Sequence, residues 1–493
     1  MTSWTRAALV ALLLAVVLGG LLAFSGSTVI WPGRDGGFAR TGLVEQGMPG
    51  RVSNYSLLWK FRAGLCVASS PVVGDFDGNG VVDVSFAACD GYEYTLYGTN
   101  GSVEWRVRTG GGLTSPAATD LDGDGRAEIV VGGALSPLFC ISHDGRVMWE
   151  VRGLFEGAVP VVGDFDGDGR LEVAANSFDG RVAIVDGASG GVEWFSRVGT
   201  GAVSPLASGD VTGDGLPDIV GISGRALFVV YYNGGNYSVA TLRLPDDGQG
   251  YPALYDVDGD GVLDIIASYT GGLEAVSYSR GLLWRAPLEG SMENSVAVGD
   301  VLHTGTPQVV AATSSGIFVY SLNGSLLEEI RGYDASYASP LVGDFDGDGL
   351  QELLVAGRDG TVLILNASAG SDLIDDIVFE LDTGGPIMST PTVADVNGDG
   401  IPDILVPSRD FNLYAYTPSI PGPVKTGTTQ QSTTPTPSPG QGTSTTTPKP
   451  PGPGWEKGPE KAPSYGGLEA GKLLLALAAG AIIVAAAYLY SRE

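Results

Sequence analysis

The chain has 493 residues, 76 of them glycine and only 17% charged, which favours many short strands joined by tight turns and leaves ample length for a large core. A formal net charge of -29 argues against electrostatic binding to nucleic acid or to an anionic membrane surface. With two histidines and three cysteines, the sequence also argues against a histidine-based zinc site, a histidine-containing catalytic dyad and a disulfide-stapled scaffold.

The N-terminus predicts export. Residues 1–27 contain one positive side chain, Arg6, then a long apolar run and small polar residues, a pattern typical of a signal peptide. The apolar run is long for a cleaved signal, so an uncleaved N-terminal anchor is the alternative. Residues 28–53 form a short N-terminal segment before the first repeat.

An acidic motif recurs eight times within residues 54–418, for example "DFDGDGRLE" at residues 164–172. Most repeats are 44 to 46 residues apart, and the last interval is 51. Four short strands in about 45 residues is the period of a propeller blade. The sequence therefore predicts an all-β fold, an eight-bladed β-propeller of four-stranded blades. The first acids of the eight motifs are Asp75, Asp120, Asp164, Asp210, Asp256, Asp300, Asp344 and Asp395.

A tryptophan marks the predicted fourth strand of several units, where a role in packing between blades is expected. Trp59 precedes the first acidic motif, whereas the eighth unit ends after three strands. We expect residues 56–64 to supply the fourth strand of the last blade, because closing the ring removes exposed strand edges. A seven-bladed ring with one unit outside it is the alternative. The tryptophans are Trp59, Trp105, Trp149, Trp194 and Trp284.

The spacing of the acids predicts a calcium loop. Positions 1, 3 and 5 supply side-chain oxygens, a glycine at position 6 allows a sharp bend, position 7 offers its carbonyl, and an acid at position 9 closes the loop. Hard oxygen donors in a flexible loop suit Ca²⁺ better than a transition metal. Solvated Asx turns are the plainer alternative.

Seven loops keep this pattern, so we expect about seven structural Ca²⁺ ions. The sixth loop offers Leu302, Thr304 and Gln308 at ligand positions and is predicted to be empty. The predicted ligands are Asp75, Asp77, Asn79, Val81, Asp83, Asp120, Asp122, Asp124, Arg126, Glu128, Asp164, Asp166, Asp168, Arg170, Glu172, Asp210, Thr212, Asp214, Leu216, Asp218, Asp256, Asp258, Asp260, Val262, Asp264, Asp344, Asp346, Asp348, Leu350, Glu352, Asp395, Asn397, Asp399, Ile401 and Asp403.

Over residues 54–418 the units resemble the FG-GAP/VCBS repeats of integrin-α-type propellers, through the proline, the Val-Val-Gly run and the acidic motif. Residues 186–194, "DGASGGVEW", are similar to the tryptophan-docking pattern of quinoprotein propellers. The literal FG-GAP string is absent, and integrin units are longer. The resemblance therefore implies the fold and the metal loop, and it implies no particular ligand.

Two sets of surface residues are predicted from the strand order. Sequons for N-glycosylation fall at or beside the turn between strands 3 and 4, on the calcium-loop face, although Asn-Gly also favours hairpin turns by itself. The sequons begin at Asn54, Asn100, Asn236, Asn323 and Asn366. The opposite face is left for partners, and its loops are expected to expose Phe155, Phe178, Tyr251, Tyr333, Tyr337, Arg409 and Phe411.

Export permits a disulfide. Cys66 and Cys89 would face each other if their segments form one hairpin, which would leave Cys140 free.

The C-terminal part predicts a tether. Residues 419–466 are rich in Pro, Thr, Ser and Gly and are typical of an extended, glycosylated stalk. Residues 467–493 include 18 uncharged residues at 473–490, enough for one transmembrane helix.

Together these features predict a cell-surface, membrane-anchored protein with an extracellular calcium-binding propeller. Its expected role is adhesion or binding to an extracellular protein or glycan, with no enzymatic activity. The alternatives are an extracellular enzyme, either quinoprotein-like or polysaccharide-degrading, and a purely structural envelope component.

Overall fold

The computed structural model describes residues 28–31, 40–112, 114–133, 136–153, 159–366 and 377–421. The predicted signal peptide, all of the stalk after residue 421, the apolar span 473–490 and Phe155 lie outside these residues. Within the described ranges, no helix is long and apolar enough to cross a membrane.

The described chain forms eight antiparallel sheets, one for each predicted repeat. Blade 1 contains β1 (Thr28–Trp31), β3 (Val72–Asp75), β4 (Asp83–Ala88), β5 (Tyr92–Tyr97) and β6 (Val103–Arg108). Blade 2 contains β7 (Ala117–Thr119), β8 (Glu128–Gly133), β9 (Ser136–Ile141) and β10 (Val147–Val151). Blade 3 contains β11 (Val161–Gly163), β12 (Glu172–Asn176), β13 (Arg181–Asp186) and β14 (Val192–Arg197). Blade 4 contains β15 (Ala207–Gly209), β16 (Asp218–Ser223), β17 (Ala226–Tyr232) and β18 (Tyr237–Arg243).

The second half of the ring repeats the same order. Blade 5 contains β19 (Gly248–Tyr255), β20 (Asp264–Tyr269), β21 (Gly272–Ser277) and β22 (Gly281–Pro287). Blade 6 contains β23 (Ala297–Gly299), β24 (Gln308–Ala312), β25 (Gly316–Ser321) and β26 (Leu326–Arg331). Blade 7 contains β27 (Leu341–Gly343), β28 (Glu352–Ala356), β29 (Thr361–Leu365) and β30 (Ile377–Asp382). Blade 8 contains β31 (Thr392–Ala394), β32 (Asp403–Pro407), β33 (Asn412–Ser419) and β2 (Asn54–Arg62).

Burial follows the position of a strand within its blade. The second strands, such as β12 and β32, are buried at every residue except Tyr269 at the end of β20, because each lies between two neighbouring blades. The fourth strands are mainly exposed or half-buried, and β14 has no buried residue at all. Apolar clusters fill the spaces between successive blades, so the core is a ring of blade interfaces.

The ring closes through β2, as predicted. This strand pairs antiparallel with β33, and it spans residues 54–62, slightly earlier than the expected 56–64. Trp59 on β2 donates an indole hydrogen bond of 2.6 Å to the carbonyl of Gly98 in blade 1. The seven-bladed alternative is therefore wrong, because all eight units join one closed set of four-stranded blades.

The tryptophans pack between blades, which confirms their predicted role. The Trp105 indole donates to the carbonyl of His143, and the Trp149 indole donates to that of Gly187, each in the next blade. The ring of Trp149 lies so close to Gly190 that an added Cβ would sit 2.8 Å from it. Glycine is required there because the indole occupies the space of a side chain.

The N-terminal segment lines the inside of the ring, a feature that the sequence did not predict. β1 pairs antiparallel with β3 and lies beside β7 and β31, the innermost strands of the two neighbouring blades. Within residues 40–46, Leu43 then forms a parallel bridge with Val342 of β27, and the Val44 amide donates a hydrogen bond of 2.8 Å to the carbonyl of Val342. Arg40 is buried, and its guanidinium donates to the carbonyl of Leu206. The chain thus passes along the central channel twice.

A disulfide joins Cys66 to Cys89, with a Cα–Cα distance of 5.2 Å, and Cys140 is free and buried. The sequence predicted that the two cysteines face each other if their segments form one hairpin. In the structure they do not belong to one hairpin of strands. Cys66 lies on the crossover from β2 to β3, and an isolated bridge between Val67 and Ala88 brings it to the end of β4. The disulfide ties the point of ring closure to blade 1.

Candidate metal centres

Each acidic loop joins the first strand of its blade to the second, so all eight loops lie on one face of the ring. The residue at position 2 of each loop is apolar and buried, for example Phe165 and Phe345 at 1% exposure. This side chain anchors the loop against the blade interface and leaves the acids around it at the surface. We call this side the calcium-loop face.

The third loop shows the shared geometry. Asp164 accepts hydrogen bonds from the amides of Gly167 and Gly169, at 2.8 and 3.1 Å. Asp166 and Asp168 each accept the amide two residues ahead. These bonds fold the loop inward, so that several carboxylates share a small volume.

Five loops bring acidic oxygens within 4.8 Å of one another, close enough to hold one cation. The clusters are Asp75, Asp77 and Asp83; Asp120, Asp122 and Glu128; Asp164, Asp166 and Glu172; Asp256, Asp258 and Asp260; and Asp344, Asp346, Asp348 and Glu352. The loops of blades 4 and 8 have Thr212 and Asn397 at position 3, and their acids are not among these clusters. The position-7 carbonyls remain predicted ligands.

The closing acids at position 9 are buried, and three of them are incompletely hydrogen-bonded. Glu352 is fully buried, and one of its oxygens accepts the amide of Phe345 at 2.7 Å. Its other oxygen has no hydrogen-bond partner, and the same is true of Asp83 and Asp264. A buried carboxylate oxygen without a partner is costly, and a bound cation would satisfy it. The donor set, all oxygen, fits a hard divalent ion.

The pKa values of these acids also favour a bound cation. Burial, with further contributions from facing carboxylates, raises the pKa of Asp83 and Glu352 to about 8. Burial likewise raises the pKa of Glu172 to about 8, of Glu128 to about 7 and of Asp403 to about 7. Clustered negative charge in a low-dielectric site favours either protonation or a cation.

In the sixth loop a side-chain amide takes the place of the closing acid. Gln308 occupies the closing position, and its Oε1 accepts the amide of Leu302 at 3.0 Å, as a closing acid would. Its Nε2 donates to Asp300 and Thr304, at 3.4 and 2.9 Å, and to the carbonyl of Thr306. These acceptors stand at positions 1, 5 and 7. The loop is thus held by hydrogen bonds where its neighbours present carboxylates.

Two arginines that the sequence reasoning missed pair with loop acids. Arg280 contacts Asp258 and Asp260, at 2.6 and 2.8 Å, and its place in the turn of the same blade is a usable sequence signal. Arg51, from the N-terminal segment, contacts Asp346 and Asp348 at 3.1 and 3.3 Å. No sequence signal links Arg51 to residues almost 300 positions away.

Three sequons lie in turns between third and fourth strands, and Asn366 directly follows the third strand β29. Asn54 differs, because it begins β2, a fourth strand that no turn joins to the third strand of its blade. Four of the asparagines are exposed and Asn366 is half-buried; the exposed ones are Asn54, Asn100, Asn236 and Asn323. Asn100 also accepts the amide of Ser102, at 2.8 Å, which is the turn geometry expected without a glycan.

The opposite face exposes fewer of the predicted residues than expected. Phe178 is 51% exposed and Arg409 is exposed. The Tyr333 hydroxyl instead donates to the carbonyl of Thr361, and Tyr337 is half-buried beneath the Arg358 guanidinium. The expectation of exposure is therefore wrong for both tyrosines, which pack against residues of blade 7. It is also wrong for two further residues, both half-buried: Tyr251 and Phe411.

A family of known repeats matches four stretches of the propeller. The fold and its acidic loops define a closed eight-bladed β-propeller with candidate metal loops on one face. The FG-GAP-like repeat family matches residues 75–131, 164–220, 210–267 and 344–406. The chain is therefore a β-propeller that carries FG-GAP-like repeats at four positions. A comparison with curated protein sequences found no match.

Two solved structures share the fold. The biofilm matrix protein Bap1 of V. cholerae is 16% identical, with a TM-score of 0.58 over 75% of this chain and 91% of that chain. The quinohemoprotein alcohol dehydrogenase of Comamonas testosteroni is 11% identical, with a TM-score of 0.56 over 78% of this chain and 80% of that chain. At these identities the likeness shows the fold alone.

Proposed function

We propose that this protein is a cell-surface β-propeller that binds about seven structural Ca²⁺ ions and acts as an extracellular binding or adhesion module for protein or glycan. The observation that carries the calcium assignment is the set of buried closing acids with unpartnered oxygens in Asp83, Asp264 and Glu352. A divalent cation supplies both the missing partner and the charge that these clusters need.

The disulfide supports an extracellular location. Disulfides persist in oxidising compartments and are rare in the reducing cytosol. The Cys66–Cys89 bond lies at the seam where the ring closes, so it would strengthen the fold after export. The export signal, the stalk and the C-terminal apolar span supply the proposed tether, with the propeller outside and the sequons available for glycans.

A binding role fits the way in which the repeated residues are used. The acids fold the loops, and the tryptophans pack between blades. A quinoprotein-like enzyme is the second candidate, and the quinohemoprotein dehydrogenase shares only its fold with this chain. Against it, the repeated tryptophans lie on fourth strands, and β1 and residues 40–46 take up space in the channel where a cofactor would stack. A purely structural envelope component is the third.

The test combines location and binding. For location, intact cells that carry the full-length protein are treated with an external protease. For binding, a separate calcium-loaded sample of the protein is incubated with envelope and glycan preparations beside a chelated sample. Digestion of the propeller from outside and saturable, calcium-dependent binding are expected. Protection from the protease would refute the location. Release of sugar fragments or reduction of an electron acceptor would replace the binding role with an enzyme, and failure to bind would favour the structural role.

A further inference from the structure

The sixth loop departs from its neighbours at one backbone position. Seven loops have glycine at position 4, with φ between 72° and 80°, whereas the sixth has His303 with φ of 53°. L-residues adopt this left-handed conformation uncommonly, and histidine is among the types that do so more often. The other seven loops have no side chain at this position, so the imidazole of His303 is particular to the sixth loop.

His303 lies on the wall of a cavity of about 370 Å³ on the calcium-loop face. We call this cavity the blade-6 pocket, and its volume falls within the range of small-molecule sites. Blade 5 contributes Tyr255, blade 7 contributes Gln351, and the N-terminal segment contributes Leu43. The wall of the pocket is therefore built by blades 5, 6 and 7 together with the N-terminal segment.

Several polar groups of the blade-6 pocket keep an unused donor or acceptor. His303 Nε2 lies 3.0 Å from the carbonyl of Gln351, so this nitrogen is the donor and Nδ1 is left as an acceptor in the neutral ring. Gln351 Oε1 accepts the amide of Asp300 at 2.7 Å, which leaves its Nε2 as a donor. Within the described chain, neither Gln351 Nε2 nor the Tyr255 hydroxyl has a hydrogen-bond partner.

The one acid in the wall does not serve as an open anionic site. Both oxygens of Asp300 accept bonds from within its own loop, including the amides of Thr304 and Gly305 at 2.8 and 2.7 Å. Burial would raise the pKa of Asp300, but these hydrogen bonds outweigh that effect and lower it. A fixed negative charge beside the pocket disfavours an anionic ligand.

We propose that the blade-6 pocket binds a neutral sugar residue of an extracellular glycan. The Tyr255 ring can pack against the apolar face of a pyranose, while the amide of Gln351 and the imidazole of His303 bond to its hydroxyls. Leu43 and Pro307 add apolar wall. This inference rests on the proposed binding function and deepens it by naming the ligand class and the site.

The test uses calcium-loaded, full-length protein in detergent and an array of neutral and acidic monosaccharide conjugates. Wild type is expected to bind a neutral sugar, and both His303→Gly and Tyr255→Ala are expected to weaken that binding at least tenfold. His303→Gly restores the residue found in the other seven loops, so it keeps the fold and separates binding from stability. Tyr337→Ala, on the opposite face, is the matched control and should change binding less than twofold.

A second readout uses the small number of histidines. With histidine-selective isotope labelling, the neutral sugar should shift the imidazole resonances of His303 and leave those of His143 unchanged. Neutral-sugar binding that survives both pocket variants would overturn the site while leaving the binding function intact. Binding restricted to acidic sugars would overturn the ligand class. If envelope binding fails but the sugar still shifts His303, the pocket stands and the proposed adhesion role does not.

Discussion

Removal of calcium should lower the melting temperature of the propeller substantially. An extracellular site with a Kd of about 10⁻⁴ M, in about 2 mM Ca²⁺, stabilises the folded state by about 1.8 kcal/mol. Seven such sites contribute about 13 kcal/mol if the unfolded chain does not bind. Unfolding entropy of about 2.1 cal/mol/K per residue over residues 54–418 converts this to roughly 16 °C, or about 2 °C per site.

A matched pair of variants assigns the effect to the loops. Asp344→Asn removes a ligand from the loop with four clustered acids, and Asp300→Asn makes the same change in the loop that Gln308 already fills. Both acids accept two amides of their own loop, so the chelated proteins should lose similar stability. The calcium-dependent gain should fall by about one site, about 2 °C, in Asp344→Asn alone.

The assay is calorimetric melting of each protein with chelator and with calcium, together with the calcium stoichiometry from titration. Stoichiometry should be seven in wild type, six in Asp344→Asn and seven in Asp300→Asn, following the predicted loop assignments. Equal melting temperatures with and without calcium would refute the metal assignment. An equal loss of calcium gain in both variants would refute the distinction drawn between the sixth loop and its neighbours.

Three further predictions concern pH, packing and closure. In chelator, the closing acids have raised pKa values in the folded state, about 8 for Glu352, so the folded state binds more protons than the unfolded state. Stability should therefore fall as pH rises from about 4 to 8, and calcium should abolish this fall. A melting temperature that increases with pH in chelator would contradict this prediction. Gly190→Ala places a methyl group against Trp149 at a φ of 70°, and it should cost about 1 to 3 kcal/mol in denaturant unfolding, whereas Gly234→Ala, also at positive φ but with nothing within 4 Å, should cost less. Replacing both Cys66 and Cys89 with serine should cost about 2 to 4 kcal/mol by the same measurement, and an unchanged midpoint would show that the ring closes without help from the disulfide.

Much of the candidate site was determined locally, which explains why the sequence predicted it. A nine-residue acidic loop forms its own hydrogen bonds, such as those from Gly167 and Gly169 to Asp164, so its spacing alone predicts its shape. The eight repeats of the acidic motif predicted eight blades. Trp59 lies before the first motif, and this position predicted the closing strand, because a closed ring leaves no unpaired strand edge.

Contacts between distant residues required the tertiary structure. The N-terminal segment has no periodic pattern of its own. Only the tertiary structure shows that β1 pairs with β3 and that Arg51 contacts the acids of blade 7. Exposure of Tyr333 depends on a carbonyl 28 residues away. The blade-6 pocket depends on three blades and the N-terminal segment meeting at one rim. Sequence spacing specifies hydrogen bonds within a loop, but which distant surfaces meet depends on how the closed ring places the blades and the channel.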